Sequence, residues 1–129
     1  MYDLKLLIAV TTSCCAIGRD GQNIYITGPD CPGLRILDIS GNRLTLIEHD
    51  DLFSLRGLHV APDSQVFVCG TGSPTVMQLD REQSRLVKVV DGEIGLSSPR
   101  CVVLSNRTSC LIIGQEATHT ILVFRVYLK

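Results

Sequence analysis

Short runs of apolar and β-branched residues, separated by clusters of Gly, Asn, Asp and Ser, recur along the whole chain. Leu34 and Ile36 alternate with Arg35, and Leu44 and Leu46 with Arg43 and Thr45. That period of two marks a strand whose one face is better buried than the other. No segment carries the longer period of an amphipathic helix, and turn residues recur too often for a long one. Three of the runs share one shape: a polar turn, a β-branched strand, a closing glycine. They are Asn23-Ile-Tyr-Ile-Thr-Gly28 after Arg19-Asp-Gly21, Gln65-Val-Phe-Val-Cys-Gly70 after Ala61-Pro-Asp-Ser64, and Ser109-Cys-Leu-Ile-Ile-Gly114 after Ser105-Asn-Arg-Thr108. Their closing glycines lie 42 and 44 residues apart.

Around each marker the pattern predicts a meander of hairpins. The first unit reads as strands over 15–17, 24–26, 33–39 and 43–47, with Gly41-Asn42 as the last turn. The second reads as 57–60, 66–68, 75–79 and 85–90. The third supplies 100–104, 110–113 and 119–126 and stops one strand short, while Leu4–Ala9 stands in front as a lone strand. A single such meander leaves residues like Val66, Val68 and Met77 wet. Stacking sheet on sheet removes them from water, at about 25 cal/mol per Å² of apolar area. Units that repeat every forty-odd residues and cannot stand alone point to propeller blades. The expected fold is therefore all-β: a partial β-propeller of about three four-stranded antiparallel blades, the last incomplete. Its expected divisions are 1–12 (a strand of a preceding or closing blade), 13–50, 51–93 and 94–129.

Composition narrows the function classes. Apolar residues are 45% and charged ones 19%, enough for a packed core. Twelve basic against thirteen acidic side chains leave a net charge of −1, against a protein whose main task is gripping phosphate backbones. Trp is absent and aromatics are sparse, so base-stacking platforms are not advertised. Six cysteines (Cys14, Cys15, Cys31, Cys69, Cys101, Cys110) lack the paired C-x-x-C spacing of zinc sites. Cys69, Cys101 and Cys110 fall in strand runs, where a thiol packs as a small hydrophobe. Reduced thiols, and with them a cytoplasmic or nuclear protein, are the expectation. No run approaches the roughly 18 apolar residues of a membrane-spanning helix.

Arg56 and Arg100 lie 44 residues apart in matching lead-ins to a first strand, Phe53-Ser-Leu-Arg56 and Ser97-Ser-Pro-Arg100. Propeller loops at that place gather around the mouth of the central channel. Either arginine could grip a carboxylate or phosphate with its planar fork. The competing reading is a bond to neighbouring blade carbonyls, or plain solvation. Asp50, Asp51, Asp91 and Glu93 are too few and too close in sequence for the six or more oxygens of a calcium site, so no metal is expected. His49, His59 and His119 belong to no hydrolase-like signature, and His59 and His119 are expected as satisfied structural residues on strands. No catalytic residue or cofactor is indicated. Gly28, Gly70 and Gly114 are expected to serve the backbone, through turn conformation or close strand approach. Asn106-Arg-Thr108 is a glycosylation sequon that matters only on a secretory route.

The three units resemble the NHL-repeat β-propeller, above all the C-terminal propeller of tripartite-motif (RING, B-box, coiled-coil) proteins. Ile17-Gly-Arg-Asp-Gly-Gln-Asn-Ile-Tyr-Ile-Thr-Gly28 fits that pattern best, and Val60-Ala-Pro-Asp-Ser-Gln-Val-Phe-Val-Cys-Gly70 fits well. The third unit departs from it, with Ser105-Asn-Arg-Thr108 in place of Asp-Gly. The resemblance implies a non-enzymatic module that docks a protein partner, as the substrate-recognition part of a ubiquitin-ligase-like protein. Any ligase activity would reside in a RING that this chain does not contain. It implies single-stranded RNA as a second ligand class and, less well matched, a calcium-dependent propeller hydrolase. Propellers need four to eight blades. The missing blades are expected either from a longer chain or from a second copy closing a six-blade ring, with Leu4–Ala9 completing its partner's last blade.

Overall fold

In the computed structural model, residues 12–29, 31–49, 54–70, 74–82, 84–90, 95–105, 107–116 and 119–125 are described, and they form three antiparallel sheets with no helix. The first sheet is β1 (Cys14–Ile17), β2 (Asn23–Thr27), β3 (Gly33–Asp38) and β4 (Leu44–Glu48), paired in chain order. The second is β5 (Leu55–Val60), β6 (Val66–Gly70), β7 (Thr75–Asp80) and β8 (Arg85–Val90), again in chain order. The third contains β9 (Pro99–Ser105), β10 (Cys110–Gln115) and β11 (Ile121–Arg125), with β10 in the middle. This is the partial propeller the repeats predict, three strands of its last sheet included. The expected lone strand Leu4–Ala9 lies outside the described residues.

The first two markers make their turns from local chemistry. The amide of Gly21 donates to the Gly18 carbonyl at 3.0 Å, and the amide of Ser64 donates to the Ala61 carbonyl at 2.9 Å. In both turns an Asp side chain accepts from the amide two residues on, Asp20 from Gln22 and Asp63 from Gln65. Both end in the left-handed region, at φ +73° for Gly21 and +74° for Ser64. The hairpins β3–β4 and β7–β8 also match: Asp38 accepts from Ser40, and Asp80 from Glu82. The hydroxyl and amide of Ser40 hold the Asp38 carboxyl below its ordinary range, the amide contributing more.

Burial explains why the middle strand reads as unbroken apolar sequence. Val66 and Val68 face the first sheet and pack with Tyr25, Leu34 and Ile47. Phe67 and Cys69 face the third sheet and pack with Val102, Leu104, Leu111 and Ile113. All five residues of β6 are buried, so neither face needs polar residues. The outward faces of the flanking sheets differ. Ile17, Leu44 and Leu46 on the first, and Val103, Ile121 and Val123 on the third, are exposed, Ile121 by 70%.

At their inner edges the sheets meet through their first strands, β1 beside β5 and β5 beside β9. The approach is closest at Gly57. A methyl group there would lie 2.7 Å from the Arg100 carbonyl oxygen and 2.9 Å from Cys101 Cα. Gly57 is therefore the residue that lets the second and third sheets converge.

Candidate binding groove at the inner strands

Convergence of the three first strands opens a groove of about 380 Å³ at their leading ends. Its walls come from all three sheets: Thr12, Ser13 and Cys14 on one side, Arg56 in the middle, Arg100 and Cys101 opposite. The two arginines singled out by the repeat are thus brought together. Their local setting corrects the expectation for Arg56, which lies inside β5 rather than ahead of 57–60, while Arg100 lies on a strand as the reading of 100–104 expects.

Each is the extra residue of a β-bulge. Leu55 pairs with Gly70 and Gly57 with Cys69, so Arg56 has no partner on β6. Pro99 pairs with Gln115 and Cys101 with Gly114, so Arg100 has none on β10. A bulge adds one residue to one strand and re-aims its side chain. Two equivalent bulges therefore turn two guanidinium groups into one groove.

The segment entering β9 is pinned from below. The Gln115 side-chain carbonyl accepts from the amides of Ser97 at 2.7 Å and Ser98 at 3.2 Å, and its amide nitrogen donates to Thr120 at 2.9 Å. Arg100 Nη1 lies 3.2 Å from Glu116 Oε2. Both side chains are about half exposed, so this pair orients Arg100 more than it stabilises the fold. Arg56 is different. Its Nε is shut away from solvent and has no hydrogen-bond partner. An unmade bond at a buried donor costs about 1–3 kcal/mol.

Three thiols line or underlie the same region. Cys69 is fully buried beneath Gly57, and burial pushes its thiol up to about 12, so it is a neutral hydrophobe at neutral pH. Cys14 is partly buried and also raised, chiefly by desolvation. Cys101, expected as a buried hydrophobe, is exposed because it faces the groove side of β9. All six cysteines are free thiols. Among the described residues no group of three His, Cys, Asp or Glu could hold a metal ion. Asp50, Asp51, Asp91, Glu93 and Asn106 lie outside the described residues.

Of the glycines expected to serve the backbone, Gly70 closes β6 and Gly114 lies within β10. None of Gly28, Gly70 and Gly114 is among the positive-φ residues, so turn conformation is not their reason. For Gly114 the reason is close approach: a methyl group there would lie 2.7 Å from Cys101 Sγ. Two histidine expectations also change. His119 sits at φ +52° before β11 rather than on it. His59 is on β5, but its Nε2 is buried without a hydrogen-bond partner. Desolvation holds the His59 imidazole below its ordinary value, partly offset by a hydrogen bond with the Leu104 backbone.

A second cavity of about 400 Å³ lies at the far end of the second sheet, beside Asp80, Arg81 and Glu82. Its charges are engaged locally. Arg81 Nη2 donates to the Tyr25 hydroxyl at 3.0 Å and the Ser64 carbonyl at 2.8 Å, and Arg85 lies 3.9 Å from Asp80. The groove holding Arg56 is the better candidate.

No protein-family model and no curated protein matches the chain. Solved structures do, at low identity. An auxiliary nutrient binding protein from Bacteroides thetaiotaomicron aligns with 91% of this chain at a TM-score of 0.69 and 13% identity. Kuenenia stuttgartiensis hydrazine synthase aligns with 97% of it at 0.70 and 14%. Virginiamycin B lyase from Staphylococcus aureus aligns with 88% at 0.59 and 11%. These neighbours are propeller-like, and at such identity the likeness establishes the fold alone. The chain spans 29%, 36% and 40% of their respective lengths.

Proposed function

We propose that this propeller segment is a non-catalytic interaction module that docks a protein partner over the groove between its inner strands. The observation that carries this reading is the pair of bulged arginines, Arg56 and Arg100, lining one groove from neighbouring sheets. A near-neutral chain with sparse aromatics favours protein over RNA as the partner. The repeat pattern adds the finer reading: an NHL-type propeller serving substrate recognition in a tripartite-motif, ubiquitin-ligase-like protein. The exposed apolar faces of the first and third sheets favour further blades beside them, from a longer chain or a second copy.

Selection of a displayed peptide library on the full chain tests the docking reading. Peptides recovered on the native protein should lose affinity at least tenfold on the double variant Arg56→Ala, Arg100→Ala. The thermal midpoint should stay nearly unchanged or rise slightly, because neither side chain belongs to the core and removing Arg56 also removes a buried, unpartnered Nε. Binding that survives the double substitution rules out the groove as the docking site. A large fall in thermal midpoint assigns the arginines a structural role instead.

A further inference from the structure

We infer that the groove is a carboxylate pocket, in which the Arg56 guanidinium receives an acidic side chain of the docked partner. This inference rests on the docking reading above and adds the chemistry of the group received.

Four observations carry it. The cavity, at about 380 Å³, is of the size that admits a small side chain rather than a flat macromolecular surface. Among the described lining residues the charged ones are both arginines, and the hydroxyls of Thr12 and Ser13 add further donors. Arg56, partly buried and lining the groove, takes part in neither of the ion pairs found among the described residues. The bulges that aim the two arginines occur at equivalent positions in two sheets, so the pair belongs to the architecture rather than to one loop.

Charge counting selects carboxylate over phosphate. Glu116 already sits against Arg100, which leaves Arg56 as the cation outside an ion pair among the described lining residues. One such cation matches a monoanionic carboxylate. A phosphate dianion, or a phosphodiester backbone tracking through the groove, needs a row of cations. Arg's planar fork adds the bidentate geometry that a carboxylate uses.

The test uses the full chain labelled with nitrogen-15, observing the Arg56 Nε–H resonance directly during titration with sodium acetate, sodium phosphate or sodium chloride at matched ionic strength. Acetate should shift that resonance and the backbone amides of Gly57 and Cys101 saturably, with chloride inert and phosphate no stronger, and Arg56→Lys should abolish the acetate-dependent amide shifts while leaving the rest of the amide spectrum in place. No shift with acetate, or an equal shift with chloride, overturns the pocket. Saturation at lower phosphate than acetate overturns the carboxylate assignment in favour of a phosphate ligand. Peptides from the library selection separate this inference from the docking reading. Replacing their acidic residues by amides should weaken binding at least tenfold on the native chain. Unchanged binding through Arg56 and Arg100 refutes the carboxylate pocket while leaving docking intact, whereas acetate saturation without any selected peptide supports the pocket and refutes docking.

Discussion

Replacing Gly57 by alanine is the sharpest probe of how the inner strands meet. Gly57 does not have a positive φ, so its backbone accepts any residue. On backbone grounds alone, alanine there should stabilise the chain by about 0.4–1 kcal/mol, by restricting the unfolded state. The packing reverses the sign. The new methyl carbon would lie 2.5 Å from Cys69 Sγ, 2.7 Å from the Arg100 carbonyl oxygen and 2.9 Å from Cys101 Cα. Ordinary contact begins near 3.4 Å, so the third sheet must retreat by about 0.5–0.7 Å. Two of the three atoms are backbone of β9, which cannot rotate away as a side chain can. Overpacking of this kind costs about 1–3 kcal/mol. The net expectation is a loss of about 2 kcal/mol, seen by calorimetry as a fall of about 5–10 °C in thermal midpoint. Adding Cys69→Ala should recover part of that loss, and a double-mutant cycle should return a coupling of about 0.5–1.5 kcal/mol. Full recovery is not expected, because the β9 backbone contacts remain. A midpoint equal to or above that of the native chain would refute the close approach of β5 and β9, and with it the shape of the groove.

Acid should weaken the fold through His59. Its imidazole is held below the ordinary value near 6.5 by desolvation, with Arg19 nearby opposing protonation and the Leu104 backbone favouring it. The unfolded chain therefore binds the proton more readily, and the stability from a neutral His59 is complete above about pH 6.5 and lost as pH falls through the lower folded value. Urea midpoints should drop between pH 7 and pH 5, and His59→Gln should flatten that slope; an unchanged slope would clear His59 of the effect. Brief iodoacetamide treatment followed by peptide mapping should mark the exposed Cys15 and Cys101 and spare the buried Cys31 and Cys69 until the chain is unfolded. Labelling of Cys69 at the rate of Cys101 would contradict its burial. Light scattering should find the isolated chain associating through its outward apolar faces, and Val123→Glu should return it towards the mass of one chain. A strictly monomeric, cooperatively folding native chain rules out closure by a second copy.

Much of the architecture can be read along the chain because its causes are local. The turns at Gly18–Gly21 and Ala61–Ser64 form from their own amides and Asp side chains, and the spacing of those turns marks the period of the sheets. The unbroken apolar run of β6 reports that it buries both faces, whereas the alternation in β4 picks out the wrong one: Leu44 and Leu46 are exposed and Ile47 is buried, because only the face towards the second sheet is covered. The choice of Arg56 and Arg100 also came from spacing alone. What tertiary structure decided is everything that depends on pairing between distant residues. A bulge is a mismatch in count between two strands, Leu55–Gly57 against Cys69–Gly70 and Pro99–Cys101 against Gly114–Gln115, and neither strand carries it by itself. Without the bulges Arg56 reads as a lead-in residue and Arg100 as an ordinary strand start, Cys101 reads as packed, and nothing marks Gly57 as a point where two sheets touch. Local turn chemistry and hydrophobic period act within a few residues and survive in the sequence, whereas register and the meeting of sheets are settled only when remote strands compete for the same space.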